Sequence, residues 1–269
     1  GGTTSVFDSL CVGESIKQPE RSTMLAPLVA ALEQGQKENL FRADHLLHLR
    51  CEICDPDTMA QTMRLAAENG VGIGAHPGFD DLKGFGRYRL NVPLPTLANQ
   101  VRYQVGAALG MAKSIGVPIR HVKLHGAMSN MSSENQTMAR ALYEAVLSVD
   151  PDITLMVLAG TAQQRAAEEI GCAWVGEIFA DRAYNPDGTL VDRSKPGAVL
   201  HDPVVAGPRI AAMVKARAIL TEDGTRLPTR IDTICLHGDG ATAVAMAQAV
   251  RQTLEAEGIT VRRFPVTGD

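Results

Sequence analysis

The sequence predicts an α/β fold, an irregular β/α barrel of about seven strands. Two observations carry that prediction. From residue 56 onward, short apolar runs alternate with stretches of helical spacing, the pattern of parallel strands joined by crossover helices. Three of the runs end in histidine beside glycine: Val-Gly-Ile-Gly-Ala-His-Pro-Gly (71–78), His-Val-Lys-Leu-His-Gly (121–126) and Thr-Ile-Cys-Leu-His-Gly-Asp-Gly (233–240). A side chain at the C-terminal tip of a parallel strand points into the mouth where β/α proteins build their sites. His76, His125 and His237 are therefore expected around one pocket.

The elements follow in order. Strands are expected near 4–12 and 40–50, and the polar stretch from Glu33 to Asn39 between them reads as a solvated turn or mobile loop. Asp55 as N-cap, Pro56 at the first helical position and Gly70 just past the end frame a helix over 56–69. Strand 71–75, helix 94–115, strand 119–124 and helix 134–148 come next, then strand 153–158, helix 161–170 and strand 173–179. The insertion 180–202 carries Pro186, Gly188, Pro196 and Gly197, so it reads as an ordered loop. Helix 203–221, strand 231–236, helix 241–257 and a closing strand 259–264 complete the set. Nothing resembles a linker or a repeat, and one domain is expected over 1–269.

The bulk properties narrow the function. Hydrophobic residues make up 45 % of 269, enough for a substantial core. The formal charge of −4 and the lack of a Lys/Arg block disfavour nucleic acid and membrane surfaces as partners. No apolar run approaches the roughly 18 residues of a membrane span, and no signal-peptide pattern opens the chain. Five cysteines (Cys11, Cys51, Cys54, Cys172, Cys235) suit free thiols in a reducing cytoplasm better than a disulfide framework. Cys51 and Cys54 have the CxxC spacing with His48 nearby, but no second pair completes a zinc site. There is no dinucleotide fingerprint, phosphate-binding loop or nucleophile elbow.

Several groups could carry chemistry. Strand alternation puts His121, Lys123 and His125 on one face, and three polar residues on a buried face must be paired or functional. Lys123 could bind an anion or stabilise charge developing on an oxygen, with His125 the proton-transfer candidate nearer the tip. After His76, bracketed by Gly74, Pro77 and Gly78, the Gly-rich segment from Phe79 to Arg87 could fold over a substrate, with Arg87 meeting a carboxylate or phosphate. His237 is the functional candidate of its strand, and Asp239 could bind or simply cap the next helix. Glu177 and Asp181 offer carboxylates for proton transfer, although Asp181 and Arg182 could equally form a structural ion pair.

Taken together, these stretches resemble the LamB/YcsF family. The resemblance rests on Asp-Pro-Asp-Thr-Met (55–59), Gly-Ile-Gly-Ala-His-Pro-Gly (72–78), Asp-Leu-Lys-Gly-Phe-Gly-Arg (81–87) and Tyr-Gln-Val-Gly-Ala (103–107). It continues through His-Val-Lys-Leu-His-Gly-Ala-Met-Ser-Asn (121–130), Glu-Ile-Phe-Ala-Asp-Arg-Ala-Tyr (177–184), Asp-Gly-Thr-Leu-Val-Asp-Arg (187–193) and Thr-Ile-Cys-Leu-His-Gly-Asp (233–239). It implies a barrel similar to the glycoside hydrolase/deacetylase superfamily. It also implies a 5-oxoprolinase A subunit, which opens the lactam 5-oxoproline to glutamate with ATP (and Mg2+) and with B and C subunits. In that reading His76, Lys123, His125, Glu177, Asp181 and His237 are the catalytic set, and Gly78, Arg87, Gly126, Asn130, Arg182 and Asp239 bind the substrate. A homo-oligomer is compatible with it.

The N-terminal part departs from the family pattern. Members open with Asp-Leu-Asn-x-Asp-x-Gly-Glu, and aligning Gly13 and Glu14 puts Phe7, Ser9 and Cys11 at the polar places. Asp8 is one residue out of phase, which on a strand means the opposite face. Glu52 stands where a histidine is usual, Leu124 where a proline is, and Ser129 where a tyrosine is. An altered reading frame over the first 54 residues and a divergent relative with changed activity both account for this. Two other functions stay open: a metal-dependent deacetylase with His76, His125 and His237 or an acid as ligands, and a binding protein of the complex that has lost turnover.

Overall fold

A computed structural model describes residues 5–12, 46–51, 72–237 and 242–261, the first two stretches as backbone alone. Its framework is a seven-stranded, wholly parallel sheet, with β1 (Ser5–Val12), β2 (Leu46–Cys51), β3 (Ile73–Ala75), β4 (Ile119–Lys123), β5 (Thr154–Leu158), β6 (Trp174–Phe179) and, late in the chain, β9 (Thr233–His237). The order across the sheet is β2-β1-β9-β6-β5-β4-β3. Its end strands β2 and β3 lie side by side, so the sheet curls towards a barrel. Because every pairing is parallel, all seven strands end on one rim.

Helices cover the outside: α1 (Leu94–Ser114), α2 (Gly126–Glu134), α3 (Gln136–Leu147), α4 (Ala162–Ile170), α5 (Pro203–Ala216) and α6 (Ala243–Ala256). The core lies between sheet and helices in two clusters. One gathers Val122, Leu124, Leu155 and Val157 against α1, α2 and α3, and the other gathers Ile178, Ile234 and Leu236 against α5 and α6. β5 is buried at every position, as a central parallel strand should be. Local chemistry sets the helix ends. Thr161 caps α4 and Gly171 closes it in the left-handed conformation, while Asp202 accepts from Val204 N and Pro203 opens α5.

Two expectations change. The helix expected over 134–148 is α3, and a further helix, α2, precedes it over residues where none is expected. Its serines hide it, yet Ser132 and Ser133 return their hydroxyls to the Ser129 and Asn130 carbonyls, and Asn135 then caps α3. The helix expected over 203–221 stops at Ala216, where Arg217 adopts a left-handed conformation usually given to glycine (φ +48°). A short antiparallel pair follows, β7 (Ala218–Leu220) with β8 (Arg226–Pro228). The 180–202 insertion is an irregular strap, pinned by the bridges Arg182–Val199 and Tyr184–Leu190. The expected helix 56–69, the polar loop 33–39 and all but the start of the strand 259–264 lie outside the described residues.

Candidate active site

Alternation along the strands assembles the site. β4 turns His121 and Lys123 inward and Val122 towards the helices. β6 does the same with Glu177 and Phe179 against Ile178, and β9 with Cys235 and His237 against Ile234 and Leu236. Curling of the sheet then lets side chains two or three strands apart touch.

Lys123 Nζ donates to Glu177 Oε1 at 2.6 Å and lies 3.3 Å from Cys235 Sγ. Burial works against its ammonium, but the Cys235 sulfur and the Glu177 carboxylate facing it more than compensate and hold its pKa above the ordinary value. Burial raises Glu177 despite the ammonium beside it, and burial also pushes the Cys235 thiol up. Behind the pair, His121 is pushed down to about 3, first by burial and then by the charge of Lys123, so its ring is neutral.

Phe179 links this pair to the next. The Lys123 ammonium lies 4.9 Å from the centre of its ring, and the His237 imidazole stacks on it at 5.7 Å. His237 Nδ1 is 2.6 Å from Asp181 Oδ2, and Arg193 Nη2 is 3.2 Å from His237 Nε2. A guanidinium can only donate, so the neutral ring carries its proton on Nδ1, towards Asp181. Burial alone would raise Asp181, but the hydrogen bond from His237, with the charges of Arg193 and Arg182 behind it, brings it below the ordinary carboxylate value.

The other two imidazoles expected at the strand tips sit together across the mouth. His76 Nδ1 donates to the Lys123 carbonyl at 2.6 Å, and its ring meets that of His125 edge-on with centroids 5.0 Å apart. His125 lies just past the end of β4, as the residue before α2, with its N–H on the Pro77 carbonyl. Glycines shape its slot. A Cβ on Gly78 would stand 2.9 Å from the ring, and one on Gly86 2.7 Å from it, and Gly86 also has a φ of +64°. Phe85 closes the slot at 5.8 Å. Gln104 clamps Gly78 by bonding both its N–H and its carbonyl. The segment expected to fold over a substrate thus forms the seat of His125.

The other expected contacts fall as follows. Arg87 is exposed, with its guanidinium 5.5 Å from the centre of the Phe85 ring. Gly126 packs on the Gly86 carbonyl, and Asn130 is half-buried on α2, where its carbonyl accepts from Ser133. Arg182 is buried and donates to the Ala198 and Val191 carbonyls, so Asp181 and Arg182 pair with other groups and not with each other. Asp239 lies outside the described residues. The sequence reading missed Cys235 and Arg193. Cys235 was within reach, because it shares the strand face of His237, two residues away. Arg193 sits on an irregular strap where periodicity gives no signal. Among the described residues, no group of three or more His, Cys, Asp or Glu side chains converges as a metal set, and no helix is long and apolar enough to cross a membrane.

Comparison with known proteins agrees with this architecture. The model of the LamB/YcsF family matches residues 52–268, beginning where the sequence rejoins the family pattern. A Ruegeria pomeroyi protein, named as the A subunit of 5-oxoprolinase, is 65% identical over 234 residues, covering 86% of this chain and 92% of the relative. One of Rhodopseudomonas palustris with the same name is 46% identical, covering 79% and 84%. The crystal structure of a lactam utilization protein from Thermus thermophilus superimposes with a TM-score of 0.77 at 33% identity, covering 98% of this chain and 100% of that one.

Proposed function

This chain belongs to the LamB/YcsF family, and from that premise we propose that it is the A subunit of a 5-oxoprolinase, opening 5-oxoproline or a close small lactam to glutamate in company with partner subunits. The observation that carries the reading is the meeting, on one rim, of an ammonium–carboxylate pair and an imidazole–carboxylate pair. An unstrained lactam is a poor electrophile. Its opening needs charge stabilised on the carbonyl oxygen and protons moved to and from water and the leaving nitrogen.

Lys123 suits the first task. An ammonium has three N–H donors, and Glu177 and Cys235 engage two, which leaves one for a developing oxyanion. His237 suits the second, since Asp181 fixes its tautomer and would stabilise the imidazolium formed when Nε2 takes a proton. His76 and His125 add a second proton-carrying pair across the mouth.

ATP enters as co-substrate, supplying the phosphoryl group that would activate the amide oxygen. The guanidinium groups of Arg87 and Arg193 suit anionic oxygens in kind. A Mg2+ ion fits less well. Asp181 Oδ1 is buried with no hydrogen-bond partner among the described residues, but no set of three ligands gathers around it there. The reading places the protein in the cytoplasm, where Cys172 and Cys235 would stay as free thiols.

The test is glutamate release from 5-oxoproline by this chain reconstituted with its partner subunits. ATP-dependent release that needs this chain is expected. Release that is unchanged when Lys123 is replaced by methionine would refute the assignment of the pair, and no release at all would refute the function.

A further inference from the structure

Resting on that reading, we infer that Arg193 recognises the substrate's carboxylate, and that it does so by exchanging its hydrogen bond with His237. The cations around the rim differ in how far they are engaged. Lys123 is bonded to Glu177 and Cys235. Arg182 gives Nε and Nη2 to the Ala198 and Val191 carbonyls, and Arg209 donates to the carbonyls of Phe179 and Arg182. Arg87 lies over Phe85. Arg193 is exposed and meets a neutral imidazole nitrogen at 3.2 Å, with no carboxylate in ion-pair range among the described residues. A carboxylate offered to that guanidinium replaces one neutral bond with a two-pronged, charge-assisted pair.

The strap holds Arg193 where this exchange matters. Asp192 Oδ1 accepts from both the backbone N–H and the hydroxyl of Ser194. Ala183 bonds the Ala198 carbonyl, Val191 bonds that of Ala183, and Leu200 bonds that of Asp181. The strap is thereby tied to the same segment that carries Asp181. Drawing the Arg193 guanidinium onto a carboxylate uncovers His237 Nε2, the nitrogen that has to take a proton. Recognition of the acid group and readiness of the base become one event, and a lactam without the acid leaves the base covered.

The experiment compares 5-oxoproline with 2-pyrrolidinone, the same ring without its carboxylate. In the reconstituted complex, Arg193→Gln should lose about 100-fold in kcat/KM for 5-oxoproline, mostly through KM, and change 2-pyrrolidinone only a few-fold. Arg193→Lys should recover part of the loss. Calorimetry on the full chain, alone and in the complex, gives a readout independent of turnover. The wild type should bind 5-oxoproline, and Arg193→Gln should weaken that binding about 10- to 100-fold without affecting 2-pyrrolidinone. An unchanged preference between the two lactams, a rise in KM for ATP alone, or no carboxylate-dependent binding by the wild type would each overturn the inference. A complex that fails to cleave 5-oxoproline while its binding still depends on Arg193 would sink the functional reading and leave this one standing.

Discussion

The two sides of the mouth hold their imidazoles by different means. On the β3–β4 side His125 is seated by shape, with Gly78, Gly86 and Phe85 leaving a slot as wide as the ring, and His76 is fixed by a backbone carbonyl. On the β6–β9 side His237 is held by charge, between Asp181 and Arg193, beside a buried Lys123–Glu177 pair. The first side should fail when an atom is added, and the second when a charge is removed. That is a contrast between steric exclusion and uncompensated desolvation.

The sharpest break comes from the charged side. Lys123→Met leaves the buried Glu177 carboxylate without a partner, and unfolding by urea should show a loss of about 3–5 kcal/mol. Adding Glu177→Leu should restore most of that stability while glutamate release stays lost, because the pair then serves chemistry more than folding. If the double variant is no more stable than the single one, charge is not what holds this side.

A smaller effect tests the shaped side. Gly86→Ala adds a methyl against His125 at a left-handed backbone position, and should cost about 1–3 kcal/mol with at least a 10-fold loss of activity. Gly110, inside α1, has no heavy atom within 4 Å of a built Cβ. Gly110→Ala should stabilise by about 0.4–1 kcal/mol and leave activity alone. Equal effects of the two substitutions would remove the steric account.

The last effect is a slope with pH. His121 stays neutral in the folded protein down to about 3, whereas the unfolded chain takes a proton near 6.5. Its contribution to stability is present above 6.5 and is lost as pH falls towards 3, at up to ~1.4 kcal/mol per pH unit. Urea midpoints measured from pH 7 to pH 4 should fall less steeply in His121→Leu than in the wild type. Parallel slopes would show that this ring does not sense pH.

Much of this was legible before any coordinates. Each of His76, Lys123, Glu177 and His237 belongs to an apolar run whose parity and end can be read locally, and a parallel sheet carries such ends to one rim. The losses have physical causes too. The helix Gly126–Glu134 was hidden because its serines satisfy carbonyls of their own helix, which composition alone reads as loop. The hairpin after Ala216 was hidden because Arg217 takes the turn that glycine normally marks. Arg182, expected as a substrate contact, also fastens the strap by giving Nε and Nη2 to the Ala198 and Val191 carbonyls.

The chain by itself determined the strand–helix alternation, the inward face of each strand and the family, since these depend on neighbours a few residues apart or on motifs in order. Only the tertiary structure decided the partners. Lys123 meets Glu177 and Cys235, and Arg193 meets His237, across gaps of 54, 112 and 44 residues. Such contacts arise from the curl of a sheet and the path of an irregular strap, and no local spacing encodes either.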